Sequence, residues 1–509
     1  MPTKEELLRE LAALRAENMA LKEESSILFR RIPEEDEAYQ CLLEGKIPAL
    51  VKVKSLSYEK PKQPAITLIE GDNLASLVAL QGAYFEKADV IYLDPPYNTG
   101  KDVYTYSDSY STRLDKHSRW SSFIERRLSL ARELLRDTGI IMCAIGVEEL
   151  SHFKLILDRL FGERNLIANV TWSGSTINNA RFVSTGSDYM LIYAKDIKAA
   201  KEASLRWRAS KQSAKELVSK AKSLWVEADG DSAVATKALR KFYTTARAKE
   251  FFQTEPGLKM YNLIDNKGDL YRSSDLSSPS GHGGTYNVIN PEIGKVVTLP
   301  ARGWVHSEET FKQKIEDDEI LWNGDGVPSY KRYLKDNLSV VLKDVIQRDR
   351  DLANKLLAKV IGRDKFSYPK DHNVLAEWID YVTPQSRKDN EVDPPVIMDF
   401  FAGSGSTGHA VAQLNAADGG KRECLLVTTN EAGIAEEVTA ERLKSLLSGE
   451  WKDGSHHSVL PGSFSYFTTE YLDPTEIKVS SRPLIPFGPE YIESVQKTVK
   501  SLKEQHLLF

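Results

Sequence analysis

The sequence predicts an α/β protein: a doubly wound, mostly parallel sheet in two pieces with an inserted domain between them. Three observations predict it. Strand-like and helix-like runs alternate from Ala65 to Lys195 and again from Tyr368 onward, and strands separated by helices imply parallel pairing. Between the two stretches the alternation is lost. At 509 residues the chain also exceeds what one hydrophobic core usually spans.

The first element is a helix in which Leu7, Leu14, Leu21 and Leu28 recur every seven residues, with Leu11 and Asn18 four residues after the first two. That stripe is narrow and flanked by Glu, Arg and Lys, the pattern of a coiled-coil seam, so Leu7–Leu28 is expected to pair with a second copy or another helix. Residues 32–64 read as a connector. The first half of the α/β domain follows as the strand "AITLIE", a helix over Asn73–Gly82, the strand "ADVIYL", a helix over Trp120–Arg136, the strand "GIIMCAIG", a helix over Glu148–Phe161 and the strand "SDYMLIYAK". After a mixed stretch rich in Gly, Ser and Asn come the helix "NVLAEWIDYV", the strand "PVIMDF", the glycine turn "FAGSGST", a helix over His409–Asn415, the strand "ECLLVTTNE" and a helix over Glu436–Leu447. The expected organisation is a coiled-coil helix (1–31), connector (32–64), first half (65–195), insert (196–365), second half (366–470) and tail (471–509).

Composition excludes several classes. No apolar run approaches the roughly 20 residues that cross a bilayer, and Met1 to Arg31 is charged throughout rather than leader-like, so a cytoplasmic protein is expected. Cys41, Cys143 and Cys424 are far apart with no Cys/His cluster, so neither a disulfide framework nor a metal site is expected. A net charge of −5 means that any anionic partner must meet a local basic patch.

Two strand ends carry chemistry. In "YLDPPYNTG" the buried-strand pattern Val90–Leu93 ends on Asp94, two prolines and Tyr97. Each proline fixes φ and removes a donor, which leaves the carbonyls of Asp94 and Pro95 as acceptors beside the stacking face of Tyr97. Such a rim suits a planar base with an exocyclic amino group. In "DFFAGSGSTGHAV" a strand ends on Asp399, and Gly403 and Gly405 let the backbone approach a ligand at a helix amino terminus. The absence of GK[ST] excludes a P-loop. Glu431, 32 residues after Asp399, is placed to accept both hydroxyls of a ribose. In a doubly wound sheet both strand ends fall on one rim.

These two motifs in this order, with "GDNL", "SRWSSFIERRLSLARELLRDTGII", "LFGERNLIANVTW", "WNGDGVPSYKRYL", "FSYPK" and "EEVTAERLK", resemble a β-class amino-methyltransferase of DNA. Within that group the chain is most similar to the modification subunits of type III restriction-modification systems, over about Ile66 to Tyr471. The resemblance implies a circularly permuted S-adenosylmethionine-dependent fold with the target-recognition domain between its halves. It departs from the pattern at "CAIGVEE", where the family usually carries an acidic run.

The resemblance further implies S-adenosylmethionine as cofactor, with Asp72 and Asn73 near its adenine, Glu431 on its ribose, and Asp399, Phe401, Gly403, Gly405 and Thr407 along the glycine turn. Asp94, Pro95, Pro96 and Tyr97 would act on an adenine flipped out of duplex DNA. No metal is needed. Cytosine C5 chemistry needs a thiolate, normally a Cys after a Pro, and no cysteine here follows one. Cytosine N4 methylation stays open, although in the family it goes more often with Ser at the position of Asp94. A non-catalytic specificity or scaffold subunit is a competing reading from a different class, and RNA as substrate is a third. In the insert, Arg206, Arg208 and Lys211 of "LRWRASKQSAKELVSKAK" and Lys331 and Arg332 of "PSYKRYLK" are candidate DNA contacts, since basic and aromatic residues interleave there. A nuclease or helicase restriction subunit is a candidate partner.

Overall fold

The structure, a computed structural model, describes residues 46–99, 113–174, 186–203, 207–349, 351–388 and 392–472, with positions 38, 41, 42, 44, 182 and 390. The expected zipper Leu7–Leu28, Arg206 and the tail beyond 472 lie outside the described residues. Two compact units emerge, one drawn from Met1–Arg206 and Lys343–Phe509 and the other from Trp207–Leu342.

The larger unit is built on a ten-stranded sheet. In chain order its strands are β1 Ile47–Lys52, β2 Ala65–Glu70, β3 Ala88–Leu93, β4 Leu135–Ile145, β5 Leu166–Ser173, β6 Ser187–Ala194, β7 Val345–Gln347, β8 Val396–Asp399, β9 Glu423–Thr428 and β10 Ser463–Leu472. They lie in the order β1-β10-β2-β9-β8-β3-β4-β6-β5-β7. From β10 to β4 every pairing is parallel. The central β3 is buried along its whole length, which is why it reads as a mostly apolar run rather than an alternating one, with its one charge, Asp89, paired to Arg387. Helices that bear on the site are α1 Asn73–Tyr84, α2 Arg113–Leu134, α3 Leu150–Phe161, α4 His372–Val382, α5 Ser406–Asp418 and α6 Glu441–Ser448.

Three expectations change. The strand in "SDYMLIYAK" is antiparallel to β4, not parallel, because the unforeseen β5 pairs antiparallel with it at the far side. The connector contains β1, an edge strand antiparallel to β10, where Pro48 costs no central ladder bond. The insert is shorter than 196–365. The Ile197–Glu202 helix belongs to the larger unit, as do β7, which pairs parallel with β5, and Asp351–Ile361, whose Leu357, Val360 and Ile361 pack on Val438.

The smaller unit carries a four-stranded antiparallel sheet and the helices Gln212–Glu227, Ser232–Phe242 and Ala246–Thr254. The first of these buries Ala214, Leu217, Ala221 and Leu224, one face at helical spacing. Arg208–Ser210 pairs with Ser339–Val341, so the two ends of the unit's chain are joined.

In the large sheet the chain leaves β3 for β4 on one side and leaves β8 for β9 on the other. β3 and β8 are neighbours. That reversal makes a crevice outside their carboxyl ends, where α/β sheets take ligands.

Candidate active site

Register fixes the site. Val90 pairs with Ile397 and Ile91 with Met398, so the residues after Leu93 and after Asp399 emerge side by side. Segments three hundred residues apart thus share one rim.

On the β3 side, the turn from Asp94 to Asn98 is gripped from three elements. Trp120 of α2 donates its indole N–H to the Pro96 carbonyl at 2.7 Å. Asn98, fully buried at φ +55°, donates to Glu149. Lys370, just before α4, donates to the Tyr97 hydroxyl at 2.6 Å and to Asp188 Oδ2 of β6 at 2.8 Å, with its Nζ 3.2 Å from Asp94 Oδ1. Burial pushes the Asp94 carboxyl up, against the pull of Lys370, and Asp188 pushes it the same way as burial. Lys370 is itself raised, since Asp94 and Asp188 outweigh the burial that opposes its charge. The Tyr97 ring lies on Gly146, where an added Cβ would meet Tyr97 Cδ2 at 2.8 Å. The "CAIGVEE" departure is therefore used here: Gly146 makes room for the ring, and the wholly buried Glu149 anchors Asn98. Glu149 also takes His117 Nδ1 at 2.7 Å and His152 Nδ1 at 2.9 Å.

On the β8 side, Gly403 and Gly405 have φ of +46° and +74°, values that only glycine adopts without strain. Gly405 caps α5 with no side-chain acceptor on the helix amino terminus, which suits an anionic or polar ligand group. Asp399, 2% exposed, accepts from the Phe401 N–H at 3.0 Å and the Thr407 hydroxyl at 2.5 Å. Burial pushes this carboxyl up to about 7, against both hydrogen bonds. Behind the turn, Arg442 of α6 is buried and donates to the Ser404 carbonyl at 3.1 Å and the Ser406 hydroxyl at 2.9 Å.

The expected site residues sort by exposure. Asp72, Asp94, Pro96, Tyr97, Phe401, Gly403 and Glu431 keep surface at the rim, whereas Asn73, Pro95, Asp399, Gly405 and Thr407 are buried. Asp72 caps α1, accepting from Leu74 N at 2.7 Å, and pairs with the buried Arg127 at 3.1 Å. Asn73 donates to the Phe400 carbonyl at 3.0 Å and accepts from Arg127. The buried members thus shape the rim from behind. Glu431 stands three residues past β9, exposed at the start of a short 3-10 turn.

Of the basic candidates in the smaller unit, Arg208 is exposed. Lys331 is ion-paired with Asp318 at 2.8 Å. Lys211 and Arg332 both bind Asn337, at 3.3 Å to its carbonyl and 3.1 Å to its side chain. These three brace their own unit.

Lys370, Asp188, Arg127, Glu149 and Arg442 were missed. One signal was available for Arg127: it falls on the apolar face of α2 at helical spacing with Trp120, Ile124 and Leu128, where a charge needs a partner.

A family model described as "DNA methylase" matches residues 88–417. The Mod subunit of the type III restriction-modification enzyme EcoP15I of Escherichia coli is 29% identical over 70% of this chain and 57% of its own length. The StyLTI Mod subunit of Salmonella typhimurium is 30% identical over 80% of this chain and 61% of its own. The type II methyltransferase M.KpnI of Klebsiella pneumoniae is 27% identical over 71% and 79%. The chain therefore spans under two thirds of the two type III relatives it resembles.

Proposed function

Because the chain belongs to the DNA methylase family, we propose that it transfers a methyl group from S-adenosylmethionine to the exocyclic N6 of an adenine flipped out of duplex DNA. One observation carries the reading: β3 and β8 pair directly, so the Asp94 turn and the Gly403 turn open at the same end of the sheet.

The glycine turn fits such a cofactor. Its positive-φ glycines leave no Cβ in the way, with Phe366 Cζ 3.1 Å from where one would stand on Gly403, and the uncapped start of α5 offers N–H donors. When bound, the cofactor supplies an already activated methyl group. The chain's own residues prepare the acceptor. An amino nitrogen conjugated with a purine is a poor nucleophile. Hydrogen bonds from its two N–H groups to the Asp94 carboxylate and the Pro95 carbonyl would draw it towards tetrahedral geometry and release its lone pair, while Tyr97 stacks on the ring. Asp94 then faces the positive charge as it develops. Asp rather than Ser at this position favours adenine over cytosine N4.

The relatives' names support placing the chain in a restriction-modification system with a restriction subunit as partner, and a DNA substrate would place it in the cytoplasm. Among the described residues no helix is long and apolar enough to cross a membrane. We further propose that Leu7–Leu28 pairs two copies through a coiled coil.

The test is transfer of labelled methyl to plasmid DNA. Asp94→Ala is expected to lose at least roughly a hundredfold in rate, as for removal of one preorganised electrostatic group. Equal transfer by both proteins would remove Asp94 from the chemistry.

A further inference from the structure

Among the described residues, Lys370 is the cation set against the Asp94 carboxylate, and the reading above gives it no task. Its distances and its directions differ. Nζ lies 3.2 Å from Asp94 Oδ1, 2.6 Å from the Tyr97 hydroxyl and 2.8 Å from Asp188 Oδ2. Yet Asp94 Oδ1, although enclosed, receives no hydrogen bond. The lysine's short bonds go to Tyr97 and Asp188, and its longer approach to Asp94 acts there mainly through charge. The ammonium also sits 4.8 Å from the centre of the Tyr97 ring and 5.9 Å from that of Trp172, so aromatic faces as well as carboxylates hold it.

Resting on the functional reading, we propose that Lys370 is a positioning residue: it pins Tyr97 and the enclosed Oδ1 side of Asp94, while the part of that carboxylate still exposed, 25% of the side chain, faces the amino group of the target base, with Asp188 as counter-charge to the lysine. The charge count explains why both carboxylates are needed. Lys370 with Asp94 alone would be neutral, and its ammonium would oppose the positive charge that grows on the methylated nitrogen. Asp188 returns the cluster to one net negative charge, which then faces that nitrogen. Removing the lysine instead leaves two carboxylates in a poorly solvated crevice, where burial and mutual repulsion favour protonation of Asp94. The other titratable groups that act on Asp94 or feel it are Tyr97 on the same turn, Tyr92 on β3 and Asp399 on β8. Burial pushes both phenols well above their usual range, so neither supplies charge near neutral pH.

The experiment reads Asp94 directly, by carbon-13 NMR of aspartate-labelled protein with the resonance assigned through Asp94→Asn, beside single-turnover rates from pH 5 to 9. In Lys370→Met the Asp94 midpoint and the acid limb of the rate profile are expected to rise together by about one pH unit or more. The rate at neutral pH should fall at least about tenfold, with cofactor affinity within about twofold. Lys370→Arg should restore most of the limb. Asp188→Asn should move the midpoint down and lower the plateau rate. If Lys370→Met does not fold, the opposite shift in Asp188→Asn carries the test. An Asp94 midpoint unmoved in these variants of an active enzyme, or a rate lowered equally at every pH, overturns the role of Lys370 alone. A wild type that transfers no methyl removes the functional reading and this role with it.

Discussion

The two turns that share the rim are held by opposite means. The Asp94 turn is held by charge: one ammonium lies 3.2 Å from the Asp94 carboxylate and 2.8 Å from that of Asp188, and none of the residues from Asp94 to Asn98 is glycine. The Gly403 turn is held by backbone shape, through two glycines in left-handed conformation and hydroxyl and N–H bonds onto the single carboxyl of Asp399. The difference matches the two tasks proposed for them. A turn that must answer charge as it develops needs a charge balance poised at minus one. A turn that must lie close along a ligand needs a fixed backbone without side chains.

The comparison breaks first at Gly405. A valine there would take φ +74° and set its Cβ 3.0 Å from Thr439 Cγ2, a strain of about 1–3 kcal/mol in a turn with little room to relax. Gly405→Val is expected to weaken cofactor binding at least about tenfold by calorimetry, with the Asp94 titration unmoved. Asp94→Ala should do the reverse, cutting transfer while leaving cofactor affinity within about threefold. Matching losses of affinity in both variants would show that the turns are one unit rather than two devices.

A smaller effect sharpens it. Arg442 is 2% exposed; its Nη1 meets Ser404 and Ser406 behind the glycine turn and its Nη2 meets His409 Nδ1 at 3.2 Å. Burial lowers its pKa to about 9, and the neighbouring His409 and His372 are pushed down, chiefly by burial and then by Arg442 itself. Arg442→Met leaves the Ser404 carbonyl and two hydroxyls short of a donor, which should cost about 1–3 kcal/mol in a thermal or denaturant melt. Lysine should not restore this fully, because one ammonium cannot span the serines and His409 as the two guanidinium nitrogens do.

What could be read in the sequence follows from where each signal is stored. The strands "AITLIE" and "ADVIYL" match β2 and β3 residue for residue, since an interior parallel strand writes itself as a mostly apolar run. β1 and β10 at one edge, and β5 and β7 at the other, were missed as strands. Strands at and next to a sheet edge are half solvated, and all four carry a proline, polar residues or only three residues. The two turns were legible because Pro and Gly act locally. The groups that hold them were not. Asp188 opens a strand, Lys370 follows a proline and Arg442 lies on a helix, and nothing local says that any of them faces the rim. The basic stretch after Arg208 folds as a helix with its alanines and leucines inward under a surface of lysines, a pattern that composition alone does not separate from a nucleic-acid face.

The smallest expected effects separate the turns by pH. Asp399 has a folded-state pKa near 7, above its ordinary value, so between about pH 4 and 7 the native state holds a proton that the unfolded chain has released, and its contribution to stability falls as pH rises and levels above 7. His152, raised by its bond to Glu149, has the same sign in a higher window. Its contribution is complete below the ordinary histidine value and is lost as pH rises through the folded one. The Gly403 side should therefore weaken across the acid window and the Asp94 side across the mildly alkaline one. Measured against wild type, Asp399→Asn should flatten the melting temperature between about pH 4 and 7, and His152→Gln should flatten it above about 6.5, by a few degrees and about two degrees respectively. Because Glu149 joins His152 to Asn98, the second change should also raise amide exchange at Asn98 without touching the amides around Gly403. Exchange rising at both turns would show that the charge-held and shape-held halves open together.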